Sequence, residues 1–220
     1  MLYAALAMIP VTLFIIWLYT RDRLHPEPKR AVYRLFLRGA AIVLPAGLIE
    51  RLLLSSWSEA RLGGWPALLI TAFFIAGMVE EFLKASIVDR GAIENGLVRS
   101  PIDCVVYSGA TALGFAAVET ILYVTSSGFF TVILRSVTAV PAHMMFGILM
   151  GAAFAESVWG TRSRGWAYIV PAFAHGVYDT FALAGGVLPD LFLAAYLVVL
   201  LEWSLRRIRQ MDRWSVQRVS

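Results

Sequence analysis

A single cysteine, Cys104, in 220 residues excludes an internal disulfide and any cage of cysteine ligands around a metal. Charge is scarce too: Asp, Glu, Lys and Arg make up 15% of the chain, where a water-soluble domain carries about 25%. With 59% hydrophobic and 13% aromatic residues, the composition fits neither a soluble globule nor a solvated disordered polymer. There is no His-Glu-x-x-His run, no Gly-rich phosphate loop and no Gly-x-Ser-x-Gly elbow, which excludes a zincin helix and disfavours serine hydrolysis. The chain also lacks an internal repeat, so an inverted-repeat transporter gains no support.

What is present is a series of apolar stretches near the roughly 20 residues that a bilayer span needs. They run Leu2 to Tyr19, Leu35 to Leu54, Trp65 to Val88, Ile102 to Val124, Phe129 to Val158, Trp166 to Ala184 and Leu188 to Leu205. Backbone amides find no water in hydrocarbon, and the stretches lack the alternation of barrel strands, so all are expected to be helices. The expected fold is an all-α polytopic membrane bundle of about seven helices. One transmembrane domain spans 1–205, and a basic cytoplasmic tail follows over 206–220.

Basic residues orient the bundle, because short loops rich in Lys and Arg stay in the cytoplasm. Arg21, Arg23, Lys29, Arg30 and Arg34 follow the first stretch; Arg90 and Arg99 follow the third; Arg162 and Arg164 follow the fifth; Arg206, Arg207, Arg209, Arg213 and Arg218 form the tail. The connections between these hold only Arg61. The N-terminus is therefore expected outside and the C-terminus inside. The first stretch lacks a basic leader and reads as a retained anchor. The net charge of +4 serves topology and lipid headgroups, not nucleic acid. Ile208, Met211, Trp214 and Val219 among the tail arginines suit a helix on the cytoplasmic leaflet or a frayed end.

Ionisable groups at membrane depth cost at least about 2.5 kcal/mol each, so each asks for a partner or a task. The third stretch holds Glu80 and Glu81, whose directions differ by about 100° around a helix, with Lys84 one turn after Glu80 and able to reach it. The fourth holds Glu119, with nothing basic nearby in sequence. The fifth holds Pro141 and His143, and Arg135 reads as a counter-ion or an interfacial group. The sixth holds His175 and Asp179, four apart, so that the acid orients the imidazole of a general base or metal ligand. Glu50, Arg38, Glu156 and Glu202 read as interfacial. Oxygen and nitrogen donors without cysteine suit zinc or a glutamate-activated water, and the residues leave both open. With these boundaries Glu119 lies about 10 Å outward of Glu80 along the membrane normal at about 1.5 Å per residue. Convergence then requires tilt, a shifted boundary or a break at Gly109 or Gly114.

The ordered series Glu80-Glu81-x-x-Lys84, Phe115-x-x-x-Glu119, His143 after Pro141, and His175-x-x-x-Asp179 resembles the PrsW family of bacterial intramembrane proteases. Glu27-Pro28-Lys29-Arg30 and the stretch from Pro101 to Tyr107 share the likeness, which covers most of the chain. Type II CAAX prenyl proteases and abortive-infection proteins share the clan, but this chain has Lys84 one residue early for their arginine and Glu119 for their histidine. The resemblance implies a multi-pass protein of the bacterial cytoplasmic membrane that cuts single-span proteins such as anti-sigma factors in stress signalling. The residues themselves supply a compatible mechanism, in which the catalytic Glu80 or Glu81 activates a water and His143 and His175 stabilise the oxyanion or bind a zinc; in support, Lys84 positions the glutamates, Asp179 orients His175, Phe115 backs the site, and Glu119 is a second acid or, with His143 and His175, a zinc ligand. A CAAX-type protease and a proton- or cation-coupled transporter are the alternatives, and a seven-helix receptor is a weaker one.

Overall fold

The structure is a computed structural model, described for all residues except 1, 22–27, 57–62, 128, 161 and 220. Arg23, Glu27 and Arg61 therefore lie outside the described residues. Among the described residues every regular element is helical: α1 (Leu2–Tyr19), α2 (Lys29–Ala41), α3 (Val43–Ser56), α4 (Gly64–Ile70), α5 (Met78–Val88), α6 (Pro101–Ser127), α7 (Phe129–Val137), α8 (Ala139–Trp159), α9 (Trp166–Ala184) and α10 (Val187–Val219). Two π-helical segments, Thr71–Gly77 and Asp89–Ile93, flank α5. Lys29–Ser56, Gly64–Ile93, Pro101–Tyr123, Phe129–Trp159 and Val187–Arg218 are each long and apolar enough to cross a membrane. The two other apolar stretches become α1, a shorter apolar helix over Ala5–Tyr19, and α9, whose His175 and Asp179 reduce its apolarity. The chain is an all-α membrane bundle.

Two stretches that the sequence suggests as straight spans are broken rods. The second divides at Ile42 and the fifth at Thr138. Each break precedes a proline at the third position of the following helix, Pro45 in α3 and Pro141 in α8. Lacking an N–H, those prolines cannot bond the carbonyls of Ala41 and Val137, so the preceding helix stops there. Pro141 thus sets the start of α8 and frees no group in mid-helix. By contrast α6 is unbroken through Gly109 and Gly114. Gly114 instead lets the backbone of Phe36 on α2 pass, since a Cβ there would lie 2.0 Å from its carbonyl oxygen.

The centre of the bundle is α8, buried from Ala139 to Ala155 apart from Pro141, packed against α6. A helix apolar on all sides suits that central place. Ion pairs gather connections at one end of the bundle: Arg164 meets Asp89 at 3.2 Å, Tyr168 donates its hydroxyl to the same carboxylate at 2.9 Å, and Arg207 meets Glu156 at 2.7 Å. Nothing interrupts α10 at Arg206. Met211 and Ser215 are buried, and the Ile102 amide donates to Ser215 Oγ at 3.0 Å, so the tail continues α10 and docks on the bundle in place of a frayed end.

Candidate active site

Glu80, Glu81 and Lys84 lie in the first two turns of α5 and are 6%, 0% and 0% exposed. Spacings of three and four bring the lysine back over both acids. Its ammonium donates to Glu80 Oε2 at 3.0 Å and to Glu81 Oε1 at 2.8 Å. Lys84 therefore ties the pair together and does not snorkel to the interface. It also lies 3.8 Å above the Phe115 ring, which gives a role to the aromatic of α6.

Helix α9 brings His175 to this group through a close crossing. Gly77, the last residue of the π segment, and Gly176 face one another; a Cβ on Gly77 would lie 2.9 Å from the Ala172 carbonyl, and one on Gly176 would lie 2.4 Å from the Phe73 ring. With no side chain at either place, His175 Nδ1 reaches Glu81 Oε1 at 3.0 Å and Glu80 Oε2 at 3.8 Å. Asp179, one turn on, sits 3.4 Å from the other ring nitrogen and holds the imidazole from behind. Phe146 of α8 stacks on the ring at 4.9 Å.

His143 enters from α8. Its Nδ1 is 3.1 Å from the Lys84 ammonium and its Nε2 is 2.8 Å from Glu119 Oε2. An ammonium has only donors, so Nδ1 accepts from it and Nε2 carries the proton given to Glu119. Glu119 also accepts from Arg135 Nη2 at 2.6 Å, which makes Arg135, 16 residues away, its tertiary counter-ion. The expected axial gap between Glu80 and Glu119 is thus spanned by Lys84 and His143, without a break in α6.

One ligand atom each from Glu80, Glu81, His143 and His175 lie within 4.8 Å of one another, all four residues being buried. Glu119 is not in that group, because it lies beyond the far nitrogen of His143. The expected ligand trio of Glu119, His143 and His175 is therefore redrawn, with the two α5 carboxylates in place of Glu119. Glu81 Oε2 is buried and accepts no hydrogen bond among the described residues.

The model of the PrsW family intramembrane metalloproteases matches residues 27–203. The chain belongs to the PrsW family. Protease PrsW of Geobacillus kaustophilus is 34% identical over 88% of this chain and 85% of that protein. Those of Clostridioides difficile and Bacillus subtilis are each 29% identical, over 93% and 74% of this chain and 89% and 74% of theirs. No solved structure matches. As a PrsW chain it is an intramembrane peptidase of the bacterial membrane whose substrate is a membrane protein.

Sequence reasoning on this PrsW chain left two groups out of the site. Phe146, three residues after His143 and so on the same side of α8, is absent from the residues the sequence suggests, yet it stacks on His175. Glu50 read as interfacial beside Arg51, yet its Oε1 is buried and accepts no hydrogen bond among the described residues. The second span is thus not free of inward-facing charge.

Proposed function

We propose that this PrsW chain hydrolyses a peptide bond within the membrane-embedded part of single-span proteins of the anti-sigma factor type, with Glu81 as the base that activates water. The observation that carries the reading is the buried Glu81 carboxylate. One oxygen is fixed by Lys84 and His175 at 2.8 and 3.0 Å, while the other is unpartnered and free to take a proton. Water loses that proton to Glu81 as its oxygen attacks the scissile carbonyl carbon. As Glu81 becomes neutral its hold on Lys84 and His175 weakens, and their N–H groups turn to the developing oxyanion. Glu81 then returns the proton to the amide nitrogen, the C–N bond breaks, and a carboxylic acid and an amine leave. His143 accepts from Lys84 at Nδ1 and gives its one N–H to Glu119, which takes no part in the proton transfer, so we assign it to positioning Lys84 against Glu119. Asp179 orients His175.

A metal fits the donor set, since two carboxylates and two imidazoles are zinc-type ligands. Glu80, Glu81, His143 and His175 would hold it, and it would supply Lewis-acid polarisation of the carbonyl and acidification of bound water. Lys84 now bonds three of those four residues, so an ion and the ammonium compete for the same donors. We take residues 1–205 as the protease domain and 206–220 as its cytoplasmic tail, the N-terminus outside, a reading supported by the basic connections.

The test is co-expression with a panel of tagged single-span anti-sigma factors, comparing wild type with Glu81→Ala and His175→Ala and quantifying bound metal in the same purified samples. Product from wild type alone supports the assignment. Undiminished cleavage in both variants would overturn it.

A further inference from the structure

We propose that Glu50 is a substrate-positioning residue, whose buried Oε1 accepts a backbone N–H from the segment of substrate that unwinds to be cut. The inference rests on the protease reading above. Val43, Ala46 and Glu50 follow i, i+3, i+7 on α3 and so share one face. Val43 and Ala46 are buried against Phe115 of α6, with Val79 and Leu83 of α5 packed on the same cluster. Val79 precedes Glu80, and the Phe115 ring carries the Lys84 ammonium. One turn beyond Ala46, Glu50 continues the side of α3 that packs toward α5 and α6. Its Oε1 is buried and takes no donor among the described residues.

The rest of α3 looks outward: Leu44, Leu48 and Leu52 are 69%, 59% and 57% exposed, the pattern of a lipid-facing helix. Glu50 therefore sits where the outward-looking side of α3 meets its packed side, and we place the approach of a membrane-embedded substrate there. A helical substrate hides its scissile carbonyl in an intrahelical bond. Unwinding exposes that carbonyl to water activated by Glu81, and it strips neighbouring N–H groups of their acceptors in apolar surroundings, where unpaired amides are costly. A buried carboxyl oxygen without a donor matches that demand as a hydrogen-bond acceptor.

The experiment uses two fluorescent single-span peptides of equal apolar length in proteoliposomes, one a uniform Leu-Ala helix and one interrupted at its centre by Gly-Ser-Gly-Gly. Affinity is read by energy transfer to the full-length chain carrying Glu81→Gln, so that neither probe is consumed. The Glu81→Gln chain is expected to prefer the interrupted peptide. Adding Glu50→Ala weakens that peptide about tenfold, the loss of one hydrogen bond, and leaves the uniform one within about twofold. Glu50→Gln keeps a carbonyl acceptor and stays within about threefold of the parent. Equal affinity for both peptides, no effect of Glu50→Ala, or Glu50→Gln falling as far as Glu50→Ala would each overturn the proposal. Thermal unfolding separates a packing role: deleting an unpartnered buried oxygen leaves Tm unchanged or raised, and a lowered Tm in Glu50→Ala counts against the assignment. Persistent cleavage by Glu81→Gln itself would sink the protease reading instead, whatever Glu50 does.

Discussion

Lys84 neutralises more of the site than its single charge suggests. Its ammonium holds Glu80, Glu81 and His143 together in a buried space. Replacing it by methionine leaves two buried carboxylates facing each other, and breaking such a pair costs about 3–5 kcal/mol. Lys84→Met is expected to lower Tm and to raise zinc or cobalt occupancy, because the competing cation is gone; metal analysis and the cobalt(II) absorption spectrum check it. Unchanged metal content would refute the competition. Glu81→Gln is nearly isosteric but has no base, so turnover falls by at least about 100-fold with the fold retained, measured as product against circular dichroism and Tm. The Lys84–Glu80 contact was legible in sequence because a four-residue spacing on one helix needs no knowledge of neighbours. The Glu119–Arg135 pair, 16 residues apart, was not, because two helices had to be placed first.

Among the elements, the crossing of the π segment with α9 decides whether Glu81 and His175 touch. Gly176→Leu drives a side chain into the Phe73 ring and parts the helices, so cleavage is lost and Tm drops. Combining Gly176→Ala with Phe73→Ala makes room again, and the pair is expected to regain part of the activity that Gly176→Ala alone removes, a coupling that a double-mutant cycle measures. The π segment Thr71–Gly77 left no mark in the residues, since its sequence is as apolar as any span. Such insertions often sit at functional sites. Breaks at Ile42 and Thr138 did leave one, in Pro45 and Pro141. The second matters for chemistry: it separates α7, which supplies Arg135, from α8, which supplies His143, and both meet one Glu119 oxygen at 2.6 and 2.8 Å.

For the molecule as a whole, the tail belongs to the packing. Removing residues 206–220 uncovers the surfaces that Ile208 and Met211 bury at 4% and 0% exposure, and takes away the Ser215 acceptor for the Ile102 amide. Burial of one such side chain stabilises by about 1.5–3 kcal/mol, so truncation should lower Tm clearly while sparing insertion into the membrane. A truncated chain with unchanged Tm would show the docking to be inert. The sequence by itself determined the solvent, the helical class, the order in which the chemical groups arrive along the chain, and the contacts between residues three or four apart. Composition and helical periodicity suffice for those, because they are set by the residues and their nearest turns. Tertiary structure alone decided that Glu119 pairs with Arg135 and lies outside the metal-capable group, that His143 is held by Lys84, and that an oxygen of Glu50 is buried without a partner among the described residues. Those outcomes depend on where helices break and how closely their backbones approach, and a shift of one turn, about 5.4 Å, changes every partner across a helix interface.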